Sequence, residues 1–192
     1  MAITKAADGF YHPKSEAEII DLVQLARKEG KQIRVRGSAH SVSHAIYTDP
    51  LGTLPNRVNQ QTGSDTKNYM LVLDQYRDIE VIDKENRIVA VAAGTNLGVD
   101  PFDPTHTSTW DNSMLQRLAD DYGWTVANLG GIDFQTVSGF MSTGSSGGST
   151  TYSIHDNLYG LRIIDGTGTP YEVMRSDSNS DDFHAAGVSL GL

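Results

Sequence analysis

The chain contains no cysteine, which removes disulfides, thiolate nucleophiles and cysteine-ligated metals together. No apolar run approaches the roughly 20 residues that a membrane-crossing helix needs. Met1 to Asp8 lack the basic head and long apolar stretch of a secretory signal, so a cytoplasmic location is the default expectation. Positive charge is scarce: 15 Lys and Arg stand against 24 Asp and Glu, a formal charge of −9. Nucleic-acid backbones and anionic membrane surfaces are repelled on average by such a chain, and neither is expected as a partner. Aromatics make up 8% and hydrophobic residues 38% of the 192 residues, ordinary for an α/β or α+β protein of one domain or two small lobes. Metal ligands are thin as well. Six histidines are present, but none is paired with a carboxylate at helical ligand spacing. His40 and His44 fall in a loop-like stretch where a spacing of four says little, and no metal is expected.

What the chain does have is small residues beside strands. Arg34 to Ser41 reads Arg-Val-Arg-Gly-Ser-Ala-His-Ser, a β-rich run opening into a loop whose Gly37, Ser38 and Ala39 let backbone N–H groups approach an anion closely. His40 then sits beside whatever the anion carries. A second loop, Ser142 to Ser149, has a similar make-up. Two separated cradles suit a pyrophosphate with a long organic tail. The plainer readings are a locally hydrogen-bonded loop histidine at 40 and a flexible Gly/Ser linker at 142–149.

Around these loops the sequence marks its elements. Ser15-Glu-Ala-Glu18 is a capping box, Ile19, Leu22, Val23 and Ala26 form an apolar stripe at helical spacing, and Gly30 supplies a left-handed stop. Ile33 and Val35 alternate with Gln32, Arg34 and Arg36, predicting a half-buried strand with the arginines on its polar side. Thr48 to Asn68 reads as an exposed connection. Tyr69–Asp74, Ile79–Asp83 and Arg87–Ala93 are strand-like, and 101–109 reads as an irregular insertion. Leu115, Leu118, Ala119 and Tyr122 share a helix face that Gly123 ends. Trp124–Asn128 predicts a short strand, Gly130–Gly139 a chain wrapping close to a ligand, and 158–174 a hairpin turning at Asp165–Gly168.

Tyr11 to Ile19, then Arg34 to Ser41, then Gly130 to Gly147, in that order and spacing, resemble the FAD-binding domain of the vanillyl-alcohol-oxidase flavoprotein superfamily, of the PCMH type. Within it the chain is most similar to the sugar-alcohol and aldonolactone oxidases. The resemblance implies an α+β fold in two lobes with FAD between them, residues 1–56 forming the first and 57–192 the second. It implies that the backbone amides of Arg36, Gly37, Ser38 and Ala39, followed by Ser41, bind the FAD pyrophosphate. His40 holds the position often joined covalently to the flavin 8α methyl. Gly131, Thr136, Gly139, Thr143, Gly144 and Ser145 would line the flavin and its diphosphate. Cysteine-linked flavin is excluded within this chain.

Departures from the family pattern are equally specific. Ala39 stands where many relatives have glycine, and Ser146 where many have a histidine near the flavin. Family members also run on into a substrate-binding domain, so a further C-terminal domain or a partner chain is expected to complete the site. The activity implied is oxidation of a CH–OH donor, a polyol or sugar lactone, with no catalytic base named within these residues. The alternative is a non-catalytic FAD-binding or electron-transfer module acting with a partner.

Overall fold

The computed structural model describes residues 3–48, 68–103, 106–176 and 180–189. The helix α1 spans Glu16–Lys28, with Ile19, Leu22, Val23 and Ala26 as its buried stripe, as the spacing predicts. Ser15 Oγ accepts the Glu18 N–H at 3.3 Å, while the Glu18 carboxylate reaches past Ser15 to take the Lys14 N–H at 2.7 Å. Acidic side chains at Glu16 and Glu18 face the positive end of the helix dipole, and Arg27 and Lys28 the negative end. Gly30, at φ +64°, turns the chain toward the sheet.

The stripe of α1 packs on a parallel pair of strands, β1 (Ile33–Arg36) and β2 (Tyr69–Val72). Tyr69 and Leu71 meet Leu22 and Ala26, and Leu73 meets Ile19 and Val23. On the opposite face Met70 and Val72 join Phe10, and Ile46 and Tyr47 at the end of the short helix α2 (Ser43–Ile46). Both faces of β2 are thus covered, which is why its four residues are all buried. Tyr11 flanks β2 on its other edge, donating its N–H to the Met70 carbonyl and accepting from Val72, each at 2.9 Å.

The sequence reading places Tyr69–Asp74 beyond the proposed lobe boundary; in the structure β2 bonds to β1 on one edge and to Tyr11 on the other. The proposed boundary at Asn56, and nearly all of the expected connection 48–68, lie outside the described residues. The alternation on β1 is also reversed at its end: Arg36 is 1% exposed and Val35 45% exposed. Arg36 shares the face of Met70 and Val72, where the Phe10 ring covers its guanidinium at 5.2 Å.

The second core gathers Ile79, Leu97, Met114, Leu118 and Phe140. It is built from the antiparallel pair β3 (Ile79–Asp83) and β4 (Ile88–Val91), with α3 (Met114–Tyr122) and α4 (Val137–Ser142). Gly123 caps α3 in the left-handed conformation, as expected. Trp124–Asn128 is not a strand. The Trp124 N–H closes α3 by donating to Leu118, and Trp124 and Val126 contribute side chains to the core. The expected hairpin forms as β5 (Gly160–Ile164) and β6 (Pro170–Met174). Arg162 of β5 ties it to α1 through Glu16, at 2.6 Å and 2.7 Å. A helix that the sequence reading does not anticipate, α5 (Ser180–Gly187), buries Phe183 completely.

Candidate functional site

β1 delivers Arg36 to its buried position, and the chain then turns through Gly37, Ser38 and Ala39. No acceptor among the described residues takes the N–H of these three residues. Ala39 is left-handed, at φ 58°. Three successive small residues with open amides and a left-handed turn form a concavity suited to an anion.

The second segment meets this loop directly. The Leu97 N–H donates to Gln135 and the Val137 N–H to Thr95, both at 2.8 Å, fixing 95–97 against 135–137. This brings Thr136 against Gly37, so close that a Cβ on Gly37 would lie 2.3 Å from Thr136 Oγ1. The same hydroxyl caps α4 by accepting the Gly139 N–H at 3.2 Å. Asn96 Nδ2 donates to Ser38 Oγ at 3.1 Å. His40 Nε2 donates to the Phe134 carbonyl at 3.1 Å, and the two rings lie 4.7 Å apart. A carbonyl can only accept, so in the neutral ring Nε2 carries the proton and Nδ1 keeps its lone pair.

Of the residues named from the sequence, Arg36, Gly37, Ser38, Ala39, His40, Thr136 and Gly139 therefore come together. Thr143, Gly144 and Ser145 sit at the far end of α4, where their N–H groups donate to Gly139, Met141 and Phe140 and close the helix. The second loop is thus in part a helix end, with Gly144 at φ +62°. Its later half lies on Asn128 and Leu129: a Cβ on Gly147 would stand 2.1 Å from the Leu129 carbonyl. Gly131 and Ser146 are exposed.

Several polar residues at the site are absent from the sequence reading as side-chain contributors. A narrow cavity beside the loop is lined by Arg36, Gly37, Ser38, Asp74, Arg77 and Asn96, among others. Arg77 pairs with the buried Asp103 at 2.9 Å, and Asp103 also accepts the Ser108 N–H at 2.7 Å, which ties the insertion to the cavity. His12 lies between Asp74, 2.7 Å from Nδ1, and Asp8, 2.9 Å from Nε2. The hydrogen bond to Asp74 and the two negative charges hold the imidazolium against the burial that opposes it, raising its pKa above the ordinary value. A raised folded-state pKa contributes stability that is full below the unfolded value of about 6.5 and is lost as pH climbs through the folded value. Thermal unfolding should therefore show the wild-type chain losing stability relative to His12→Asn as pH rises from about 6 to about 9. Parallel curves for the two would contradict this.

The left-handed Ala39 sets two small effects against each other. Relieving its φ by glycine gains roughly 1 kcal/mol. The methyl, 8% exposed among Phe10, Ile46 and Tyr47, is worth about 0.8 kcal/mol, and glycine adds unfolded-state freedom. Ala39→Gly should change stability by no more than about 1 kcal/mol in denaturant unfolding and keep the loop's ligand affinity. A large loss would show that the methyl is required.

An α+β fold that sets a small-residue loop with open amides, and the histidine after it, against the 134–137 segment is suited to a phosphate-bearing cofactor. The family model described as "FAD binding domain" matches residues 7–99 and 110–173, and the chain belongs to that family. The chain is 27% identical to L-gulonolactone oxidase of Mus musculus over 95% of its own length and 34% of that protein. It is 29% identical to D-arabinono-1,4-lactone oxidase of Eremothecium gossypii, over 95% of the chain and 29% of that protein. Among solved structures, glucooligosaccharide oxidase of Acremonium strictum, which carries a 6-S-cysteinyl, 8α-N1-histidyl FAD, superposes with a TM-score of 0.65 at 20% identity. That match covers 93% of this chain and 31% of the oxidase. The chain thus spans about a third of the length of these relatives. Its cofactor is FAD, and the open amides of 37–39 fit a diphosphate.

Proposed function

We propose that the chain is the FAD-binding part of an oxidoreductase that oxidises a CH–OH donor, a polyol or sugar lactone, and that FAD is attached through His40. The observation that carries the attachment is the place of His40, directly after the small-residue loop, with its ring fixed by the hydrogen bond from Nε2 to the Phe134 carbonyl. The names of the relatives, gulonolactone and arabinonolactone oxidases, support the donor class. Bound FAD would supply hydride acceptance at N5.

The chain's own residues would do the rest of the cofactor's housing. Gly37, Ser38 and Ala39 would present N–H groups to the diphosphate, Thr136 would hold the second segment against them, and Phe134 would orient the His40 ring. The substrate pocket and base are assigned to a further domain or partner chain.

The test is acid precipitation of the flavin-loaded chain followed by mass analysis of the denatured protein. The expected result is flavin retained in the pellet and a mass gain of one FAD, lost in His40→Ala. Flavin released to the supernatant from the wild-type chain would contradict attachment while leaving FAD binding intact.

A further inference from the structure

Asp74 and Asn96 belong to neither loop. Asp74 follows β2 and Asn96 follows β4, and both line the cavity beside Gly37 and Ser38. They are 5% and 2% exposed. Each is anchored at one end only. Asp74 Oδ1 receives His12 Nδ1, and Asn96 Nδ2 donates to Ser38. Their remaining oxygens, Asp74 Oδ2 and Asn96 Oδ1, are buried with no hydrogen-bond donor among the described residues.

A buried acceptor without a donor carries its full desolvation cost, and a carboxylate oxygen more than an amide one. Two in one cavity ask for a ligand that brings hydrogens. Phosphate oxygens cannot do so. The sugar hydroxyls and the exocyclic amine of a dinucleotide can.

Resting on the FAD reading above, we propose that Asp74 and Asn96 are cofactor-binding residues whose free oxygens accept hydrogen bonds from hydroxyl or amino groups of FAD. In this arrangement His12, itself held by Asp8, is a positioning residue that fixes the Asp74 carboxylate. The pyrophosphate loop is then flanked by acceptors that recognise the organic parts of the cofactor, while its amides take the charge.

The test titrates the apo chain with FAD, ADP and FMN by calorimetry, every protein including the reference carrying His40→Ala so that FAD binding stays reversible, and records the unliganded Tm of each. Asn96→Leu keeps the side chain's size and removes both the acceptor and the Nδ2 donor to Ser38, so Ser38→Ala, which loses that bond alone, is measured beside it. Asn96→Leu should weaken FAD binding by about 10-fold or more beyond Ser38→Ala while leaving the unliganded Tm no lower than that of Ser38→Ala, since it also removes a buried unsatisfied group. Asp74→Asn places an N–H₂ where Oδ2 stood, with the amide oxygen turned to His12, and should weaken FAD similarly. His12→Ala should weaken it too, and His12→Asn, whose Nδ2 can replace Nδ1 as donor, should restore it. Weakening shared by ADP assigns the donor to the adenosine half; weakening shared by FMN assigns it to the ribityl half. Either supports the proposal. FAD affinity equal to that of the reference in both Asn96→Leu and Asp74→Asn would overturn it, as would a loss in Asn96→Leu that Ser38→Ala shares in full or that merely tracks a lower Tm. If Asp74→Asn does not fold, Asn96→Leu decides alone. A wild-type chain that binds no FAD would instead remove the underlying reading, and this proposal with it.

Discussion

Replacing Gly94 by alanine is expected to destabilise the chain by about 3 kcal/mol, enough to lower Tm by roughly 10 °C in a chain of this size. Gly94 follows β4 and lies on the backbone joining β2 to β3. A Cβ there would stand 1.7 Å from the Leu73 carbonyl oxygen, 2.6 Å from its carbon and 2.7 Å from the Tyr76 oxygen. All three are backbone atoms, so no rotamer change makes room. The Gly94 N–H also donates to Tyr76 at 3.1 Å, and its carbonyl accepts Arg77 Nε at 3.2 Å. Separation of the two segments would break both bonds. Because Leu73 belongs to the core against Ile19 and Val23, the strain would reach the packing of α1. Thermal unfolding of Gly94→Ala measures this directly, and a Tm within a degree or two of wild type would contradict the packing described.

The second large effect is on the cofactor. Gly37→Ala is expected to weaken FAD binding by about 100-fold or more, since displacing the loop forfeits more than one charge-assisted hydrogen bond of roughly 1.5–3 kcal/mol each. The obstacle is the Thr136 side chain, with Oγ1 at 2.3 Å and Cγ2 at 3.3 Å from the added carbon. Thr136 cannot step back, because bonds at 2.8 Å on either side pin its backbone to 95–97. It can rotate only by surrendering the cap on Gly139. The double variant Gly37→Ala with Thr136→Ala frees the space, at about 1 kcal/mol for the lost cap, and should recover part of the affinity. Equal FAD affinities for the wild type and Gly37→Ala would show that the loop does not bind the cofactor through its backbone.

What could be read from the sequence was what local chemistry encodes. Ser15, the stripe from Ile19 to Ala26 and Gly30 define α1 within fifteen residues, and the 79–91 and 160–174 hairpins announce themselves by their turns. The loop 37–41 was legible for the same reason: small residues following a strand have few structural uses. The pairing of β2 with β1 was not, because a parallel pair has no turn signal and its strands are far apart in sequence. The burial of Arg36 depends on Phe10 and on Tyr47, whose phenol pKa burial raises although the Arg36 charge works against it. Neither residue is near Arg36 in sequence. The helix α4 was hidden in a stretch rich in glycine, serine and threonine, residues of modest helix propensity, and it forms because Thr136 caps it and Phe140 enters the core. Asp74 and Asn96 acquire meaning only when separate segments converge on one cavity, and His12 only through its bond to Asp74.

The account stands most directly on one measurement: the absorbance spectrum of the purified chain after incubation with excess FAD and removal of unbound cofactor. Flavin bands at a ratio of one FAD per chain are predicted, with the ratio collapsing in Gly37→Ala. A folded wild-type chain that emerges colourless would contradict the assignment of the 36–41 loop and its Thr136 and His40 contacts as an FAD site.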